Sequence, residues 1–254
     1  MSVSSDSLSP PERLLQDYGV TLPEHIDLVG IANDRGAEVR YVPLGGCEAR
    51  LLASDDQAII SINSNSSKGR QRFSLGHELA HWICDRKSGS FMCAKEVIGP
   101  QRAEARTTEA QANGYASQLI LPTYLVDPWM QGQKYTLEVA GKLRLAFNSS
   151  LTAAAIKMAK RAGVPVCLVC HSQTRLVWQQ RSPSFPDFFV YPELNSATDA
   201  FSLVFRGSSG MSRALRGPAS TWMSGSGIHA VGLTSQSVRL PNGYVLTMLA
   251  LDAK

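Results

Sequence analysis

Residues 73–84 read Phe-Ser-Leu-Gly-His-Glu-Leu-Ala-His-Trp-Ile-Cys, and this stretch restricts the fold more than any other. Within it, His77-Glu78-Leu79-Ala80-His81 is an HExxH pattern. Positions i and i+4 share one face of a helix, so the two imidazoles point to one place. There they can meet a zinc ion at about 2.0–2.1 Å, with Glu78 beside them to take a proton from a water. That chemistry needs a helix able to carry a site in its interior. The sequence supplies one, because Phe73, His77, Ala80, His81 and Cys84 recur at steps of three and four with no proline and only Gly76 to weaken it.

A site of this kind takes a third protein ligand from elsewhere in the chain. Residues 108–121, Thr-Glu-Ala-Gln-Ala-Asn-Gly-Tyr-Ala-Ser-Gln-Leu-Ile-Leu, have helical periodicity and stop at Pro122. Glu109, Asn113 and Ala116 share a face of that helix, so Glu109 is placed to complete a His2Glu site. Asn113, one turn on, is placed to orient a ligand side chain. The alternative for Glu109 is a solvated first-turn acid favoured by the helix dipole. Glu96 and Glu104 are rival ligands, each without a comparable helical frame.

Other classes are excluded by composition. Hydrophobic residues make up 44% of the 254 and charged residues 18%, which argues against wholesale disorder. No run approaches the roughly 18 apolar residues of a membrane span, and the first residues lack both a basic and an apolar signal region. The five cysteines, 47, 84, 93, 167 and 170, are odd in number and sparse, which fits single thiols in a reducing compartment. These features predict a cytoplasmic protein with no membrane partner.

The charge is polarised along the chain. Residues 134–254 hold 13 Lys and Arg against 5 Asp and Glu, whereas residues 1–133 hold 12 against 16. Lys134, Lys142, Arg144, Lys157, Lys160, Arg161, Arg175 and Arg181 face the single acid Glu138 within residues 134–181. Such a field attracts nucleic acid or an acidic partner, or is an ordinary solvated face.

In chain order, residues 1–11 read as a loose tail, followed by short helical pieces over 11–18 and 26–32. Strand-like runs follow at 37–43, 48–54 and 58–63, separated by Gly45-Gly46 and Asp55-Asp56 turn signals. The third of these runs is expected to be an edge strand that holds an extended peptide. The HExxH helix ends in Asp85-Arg86-Lys87-Ser88-Gly89, residues 90–108 read as a polar loop, and residues 135–163 as helix, turn at Asn148-Ser149-Ser150, and helix, a helix-turn-helix shape. The second helix opens with small residues, so packing or phosphate contacts fit it better than base readout. From Val164 the character is strands, at 164–170, 174–180 and 243–251. Cys167-Leu-Val-Cys170-His171 matches a haem-attachment spacing, but its alternation with Val164, Val166 and Leu168 makes a core strand the expectation.

Two of these stretches together resemble a known family. Arg70-Gln-Arg-Phe-Ser-Leu-Gly-His-Glu-Leu-Ala-His81, followed after a loop by Glu109-Ala-Gln-Ala-Asn-Gly-Tyr-Ala-Ser-Gln-Leu-Ile-Leu-Pro122, is similar to the motifs RxRFxxxHExxH and ExxANxFAxxLLxP of the ImmA/IrrE metallopeptidases. Tyr115 and Ile120-Leu121 are the mild departures. The resemblance spans roughly residues 25–165. It implies Zn2+ as cofactor, His77, His81 and Glu109 as its ligands, Glu78 as catalytic base, and a helix-turn-helix repressor as the protein cut. The genes so released would serve phage, mobile-element, DNA-damage or anti-phage functions.

The expected architecture is therefore α+β. A zincin-like metallopeptidase domain would occupy 1–122, a helix-turn-helix-like helical segment 123–163, and a GAF- or PAS-like α/β sensor 164–254, the last as in IrrE-like relatives. Lys142, Arg144, Lys157, Lys160, Arg161, Arg175 and Arg181 are the candidate nucleic-acid contacts, with single-stranded DNA as a candidate activator. Cys47, in the turn after Gly45-Gly46, is a candidate inhibitory ligand whose thiolate would close the open zinc position. Cys84 reads as core. Tyr115, His171 and Arg72 are candidates to stabilise the oxyanion. The rival function is a nucleic-acid-binding regulator with a structural or vestigial zinc site.

Overall fold

The computed structural model describes residues 8–84, 108–206, 210–241 and 243–252. The polar loop, Cys93 and the rival ligands Glu96 and Glu104 lie outside them. The chain divides into two compact units, residues 1–131 with 144–150 and residues 132–143 with 151–254.

The first unit opens with α1 (Pro10–Asp17) and α2 (Leu28–Asp34). The supposed tail thus joins a helix at Pro10, because Ser9 and Glu12 form a capping box. Glu12 does more than cap: its Oε1 also accepts from the backbone N–H of Thr123 at 2.6 Å, at the start of α5 (Thr123–Met130). Strands β1 (Ala37–Val42), β2 (Ala49–Ala53) and β3 (Ala58–Asn63) form a sheet in the order β1-β3-β2. Strand β3 runs parallel to β1 and antiparallel to β2. It is therefore central, not an edge. Both of its hydrogen-bonding sides are used by neighbours, so any added strand must pair with β1 or β2.

The sheet's inner row of Ala58, Ile60 and Ile62 is buried. Helix α3 (Lys68–Cys84) packs against β2 and β3. Its direction is fixed by polar ties at both ends. Nε2 of Gln71 donates to the carbonyls of Asn63, Ser64 and Ser66 at 3.2, 3.1 and 2.9 Å, and Nε1 of Trp82 donates to the carbonyl of Arg35 at 2.8 Å. Ten of its residues, Gln71 and the run Ser74–Trp82, are buried, so α3 is a core helix with no wet face over its middle turns.

Helix α4 (Thr108–Ile120) crosses α3 where both are small: a Cβ built on Gly76 would stand 3.4 Å from that of Ala116. Gly76 thus sets how closely the two helices approach, and with that the reach from Glu109 to the histidines.

In the second unit, β4 (Val166–His171), β5 (Leu176–Arg181), β7 (Leu215–Pro218), β9 (Gly232–Arg239) and β10 (Val245–Leu251) form an antiparallel sheet in the order β5-β4-β10-β9-β7. A short pair, β6 (Phe189–Val190) with β8 (Met223–Ser224), lies apart from it. Helix α8 (Asp199–Phe205) packs on β9 and β10 over a core that includes Val169, Leu203, Trp222 and Leu249.

The helical pair is α6 (Leu137–Ala146) and α7 (Leu151–Arg161), with Asn148 between them in the left-handed region at φ 48°. The division between units falls within α6. Gln236 on β9 accepts from the backbone N–H of Glu138 at 3.0 Å and donates to the carbonyl of Ser212 at 3.1 Å, which ties the start of α6 to the sheet. Helix α7 packs on β4 and β5 through Ala154, Ala155 and Met158, so its small residues serve packing.

Candidate metal centre

Nε2 of His77 and Nε2 of His81 lie 3.1 Å apart. Oε2 of Glu109 is 3.2 Å from the first, and its Oε1 is 3.3 Å from the second. A tetrahedral ion with bonds of about 2.0–2.1 Å has ligand atoms roughly 3.3 Å apart. Each of the three contacts is close to that spacing, with one carboxylate oxygen of Glu109 facing each imidazole. Both histidines are buried, whereas the Glu109 side chain is half exposed. The Glu109 side of the group is thus the one toward solvent.

Tautomer chemistry points the same way. Nδ1 of His77 stands 3.0 Å from Oδ1 of Asn113, an acceptor, so Nδ1 carries the proton and Nε2 presents a lone pair to His81. A lone pair facing a second imidazole and a carboxylate is stabilised by a cation at their centre. Glu78, next to His77 in the sequence of α3, is fully buried. Among the described residues, the only group of three or more His, Cys, Asp or Glu able to hold a metal is His77, His81 and Glu109.

Cys47 stands outside that group. Its turn is anchored by Asn63, whose Nδ2 donates to the Cys47 carbonyl at 3.5 Å and whose Oδ1 accepts from the Leu44 N–H at 3.4 Å. Gly46, at φ 82°, supplies the left-handed residue that this turn needs. In this arrangement the thiol does not close the open zinc position. Cys84 is exposed, where core packing was expected.

The three oxyanion candidates fall in different places. Nη2 of Arg72 donates to the Ile26 carbonyl at 2.9 Å. Tyr115 is half-buried, and that burial, together with the nearby Cys84 thiol, pushes its phenol up to about 12. His171 lies in the second unit, where Nε2 donates to the Tyr191 carbonyl at 3.1 Å.

The candidate nucleic-acid residues do not form one free basic set. Lys157 is only 5% exposed, on the packed face of α7, so it is not a surface phosphate contact. Arg181 is half-buried, lies over the Phe185 ring at 5.5 Å and donates to the Phe188 carbonyl at 2.6 Å. Lys142 pairs with Glu138 at 3.4 Å. Arg144, Lys160, Arg161 and Arg175 are exposed. Strand β4 is buried throughout, Cys167 and Cys170 included, which leaves no open face for a haem. The residues least visible to sequence reasoning were Gln71 and the Gly76–Ala116 contact, which aim the ligands without touching a metal. The only signal for them was a glycine inside a helix opposite an alanine-rich one.

Fold and site together define a HExxH helix beside a second helix whose Glu109 completes a group able to hold a metal ion. Residues 32–171 match the profile of the IrrE N-terminal-like domain, Peptidase_M78. The chain belongs to this family, the ImmA/IrrE peptidases, whose members are in general zinc-dependent and cut repressor proteins. It is 26% identical over 108 residues to the phage-like element PBSX protein XkdA of Bacillus subtilis, a stretch covering 42% of this chain and 49% of that protein. The matched part therefore spans about half the length of this relative. A Mycobacterium tuberculosis transcriptional regulator shares the fold, with a TM-score of 0.60 over 94% of this chain and 74% of that one at 12% identity. No helix among the described residues is long and apolar enough to cross a membrane.

Proposed function

We propose that this chain is a zinc endopeptidase that cleaves a helix-turn-helix repressor and so releases stress, mobile-element or phage-defence genes. The observation that carries this reading is the meeting of His77, His81 and Glu109 at contacts of 3.1–3.3 Å, on a helix that also buries Glu78. Zinc, when bound there, supplies a Lewis acid that polarises the scissile carbonyl and acidifies a water. Glu78 takes the proton from that water and passes it to the departing amine. Asn113 holds His77 in the tautomer that leaves Nε2 free to ligate. An edge of the small sheet, β1 or β2, aligns the substrate backbone.

The regulatory half of the proposal rests on the second unit. An antiparallel five-stranded sheet, with its last strand β10 between β4 and β9 and helices packed on it, supports a sensor of GAF or PAS type. The helical pair of residues 137–161 would then be the helix-turn-helix-like segment that adjoins sensor and peptidase. The likeness to a transcriptional regulator and to a phage-element protein supports a role in gene control.

The test mixes purified protein, zinc and the helix-turn-helix protein encoded by the adjacent gene, with and without single-stranded DNA, comparing the unmodified chain with Glu78→Gln. Cleavage by the first and not the second is expected. Equal cleavage by both would remove Glu78 from the mechanism, and cleavage by neither, with tight DNA binding, would favour a regulator whose zinc is structural.

A further inference from the structure

The small sheet of the first unit has a face that the metal group does not use. Its helix side carries the buried row Ala58, Ile60 and Ile62, and side chains alternate along a strand, so Ile59 points to the opposite side. Register places Glu38 of β1 and Leu52 of β2 on either side of Ile59, in one row across all three strands. A groove of about 560 Å³ is lined by this row together with Gly36, Ala53 and Gln57. Leu52 is 48% exposed in it. Glu38 is the one charged residue of the lining among the described residues, and both of its oxygens are answered, by Nε and Nη2 of Arg40 at 2.8 Å each. The groove therefore has an apolar floor and no unpaired charge.

The same row meets the edge that flanks the histidines. Gln71 ties α3 to the carbonyls at the end of β3, and Trp82 ties it to the Arg35 carbonyl, two residues before β1. Helix α3 thus runs back from the ends of these strands to their starts. His77 and His81 lie toward that far end, where β2 finishes with Leu52 and Ala53 opposite Ile59 and Ala58. Helix α3 packs against β2 and β3, whereas β1 packs against α2, so β2 is the edge beside the two imidazoles. The backbone of β2 alternates in direction. The Asn63 N–H donates to the Glu48 carbonyl at 2.9 Å and the Ser54 N–H to the Gln57 carbonyl at 2.8 Å, so even-numbered residues bond to β3 while Leu51 and Ala53 turn their N–H and C=O outward. An antiparallel chain added at this edge bonds to those two. Its residue opposite Leu52 then forms the pair without hydrogen bonds, in which side chains approach most closely.

We propose that β2 takes up the substrate chain and that Leu52 determines specificity, by receiving a large apolar side chain of the substrate in the groove beside Ile59. This assignment rests on the peptidase reading and names its substrate class: an extended segment with Leu, Ile, Met or Phe at one fixed distance from the bond that is cut. The substrate residues on either side of that one, opposite Leu51 and Ala53, point to the other face of the sheet, toward α3 and its imidazoles. Backbone bonds along the edge are blind to sequence, so the alternate side chains carry the selection. A groove of about 560 Å³ is of the size that holds organic groups. With Glu38 already paired, a charged side chain entering it would give up water without gaining a partner, whereas an apolar one gains contact with Leu52 and Ile59.

The helix-turn-helix protein of the cleavage test has its cut site mapped by mass spectrometry, and the residues flanking the cut are replaced by Asp one at a time. Steady-state cleavage of this set is compared between the zinc-loaded full-length chain and its Leu52→Lys variant, a change that an exposed edge strand tolerates. Circular dichroism and zinc content of the two should match. For the unaltered substrate Leu52→Lys should raise KM about tenfold, the worth of one half-buried leucine contact, with a smaller effect on kcat. At one apolar position of the substrate, and at no other, replacement by Asp should slow cleavage by the parent chain and be rescued by Leu52→Lys. A side chain that only supports the fold would give no such rescue. Absence of cleavage by the parent chain overturns the peptidase reading itself. Cleavage with the same KM in both chains, or without rescue at any position, overturns the Leu52 assignment alone.

Discussion

Nδ1 of His77 lies 3.0 Å from Oδ1 of Asn113, so one residue of α4 fixes the tautomer of a histidine on α3 while another, Glu109, brings its carboxylate to the same two imidazoles. The two helices share the labour of the site. Replacing Asn113 by Ala leaves His77 free to turn or to protonate the other nitrogen. Zinc affinity should then fall by about 10- to 100-fold, measured by competition with a chromophoric chelator, with the helical content unchanged. An unaltered affinity would reduce Asn113 to a packing residue.

On the proposed function, Glu78 is the residue that separates binding from chemistry. Its carboxylate is buried and is not one of the three residues of the candidate metal group. Glu78→Gln keeps size and shape, so zinc content by elemental analysis should match the parent chain. Peptide cleavage should fall about a hundred- to ten-thousand-fold, the usual worth of a positioned general base.

Gly76 gives a graded test of how the site is aimed. A methyl at this position would meet the Cβ of Ala116 at 3.4 Å, ordinary contact, and would relieve the helix of a glycine. Gly76→Ala should therefore be neutral or raise stability by up to about 1 kcal/mol. Gly76→Leu drives the helices apart and should cost about 1–3 kcal/mol in denaturant unfolding, with zinc affinity falling in parallel. Loss of stability without loss of zinc would mean that α4 can shift and still deliver Glu109.

How much of this could be read in advance follows from where each element keeps its information. Strands β1, β2 and β3 and helices α3, α4, α6 and α7 were legible within a few residues, because their apolar or ligand positions repeat at a helix or strand period. The same pattern was silent on strand order, so β3 was misplaced at an edge: alternation reports a buried face, not which neighbours pair. Strand β9 escaped notice because its buried positions include Ser235, Gln236 and Ser237, polar residues that look like loop. They are satisfied inside, as in the 2.8 Å contact between Ser237 Oγ and Thr247 Oγ1. Helix α5 was hidden by Pro128 within it and Pro122 before it. Lys157 shows the same limit for charge, since counting lysines does not say which are turned inward.

The thiols divide by environment. Burial pushes Cys167 and Cys170 up to about 12, so at about pH 8 neither forms appreciable thiolate. Iodoacetamide should leave both unmodified in the folded chain while labelling the half-buried Cys47, as peptide mass mapping would reveal. Because Cys47 lies outside the donor group, Cys47→Ser should leave zinc affinity unchanged. A rise in basal cleavage in that variant would show a second arrangement in which the thiol does reach the metal.

His171 couples the second unit to pH. It is buried in β4, and burial presses its imidazole below the ordinary 6.5, opposed in part by the bond from Nε2 to the Tyr191 carbonyl. Nδ1 is buried too, with no hydrogen-bond partner among the described residues, so protonating the folded ring would place an unserved charge in the core. The unfolded chain takes up that proton near 6.5 and the folded chain only at lower pH. The neutral ring therefore contributes its full stability above about 6.5, and this contribution is lost as pH falls from there toward the folded value. His171→Gln keeps a donor for the Tyr191 carbonyl and cannot titrate. The stability difference between the two chains, from denaturant midpoints at about pH 8 and about pH 5.5, should shift against the parent chain at the lower pH. A difference independent of pH would mean that His171 takes its proton in the folded state as readily as in the unfolded one.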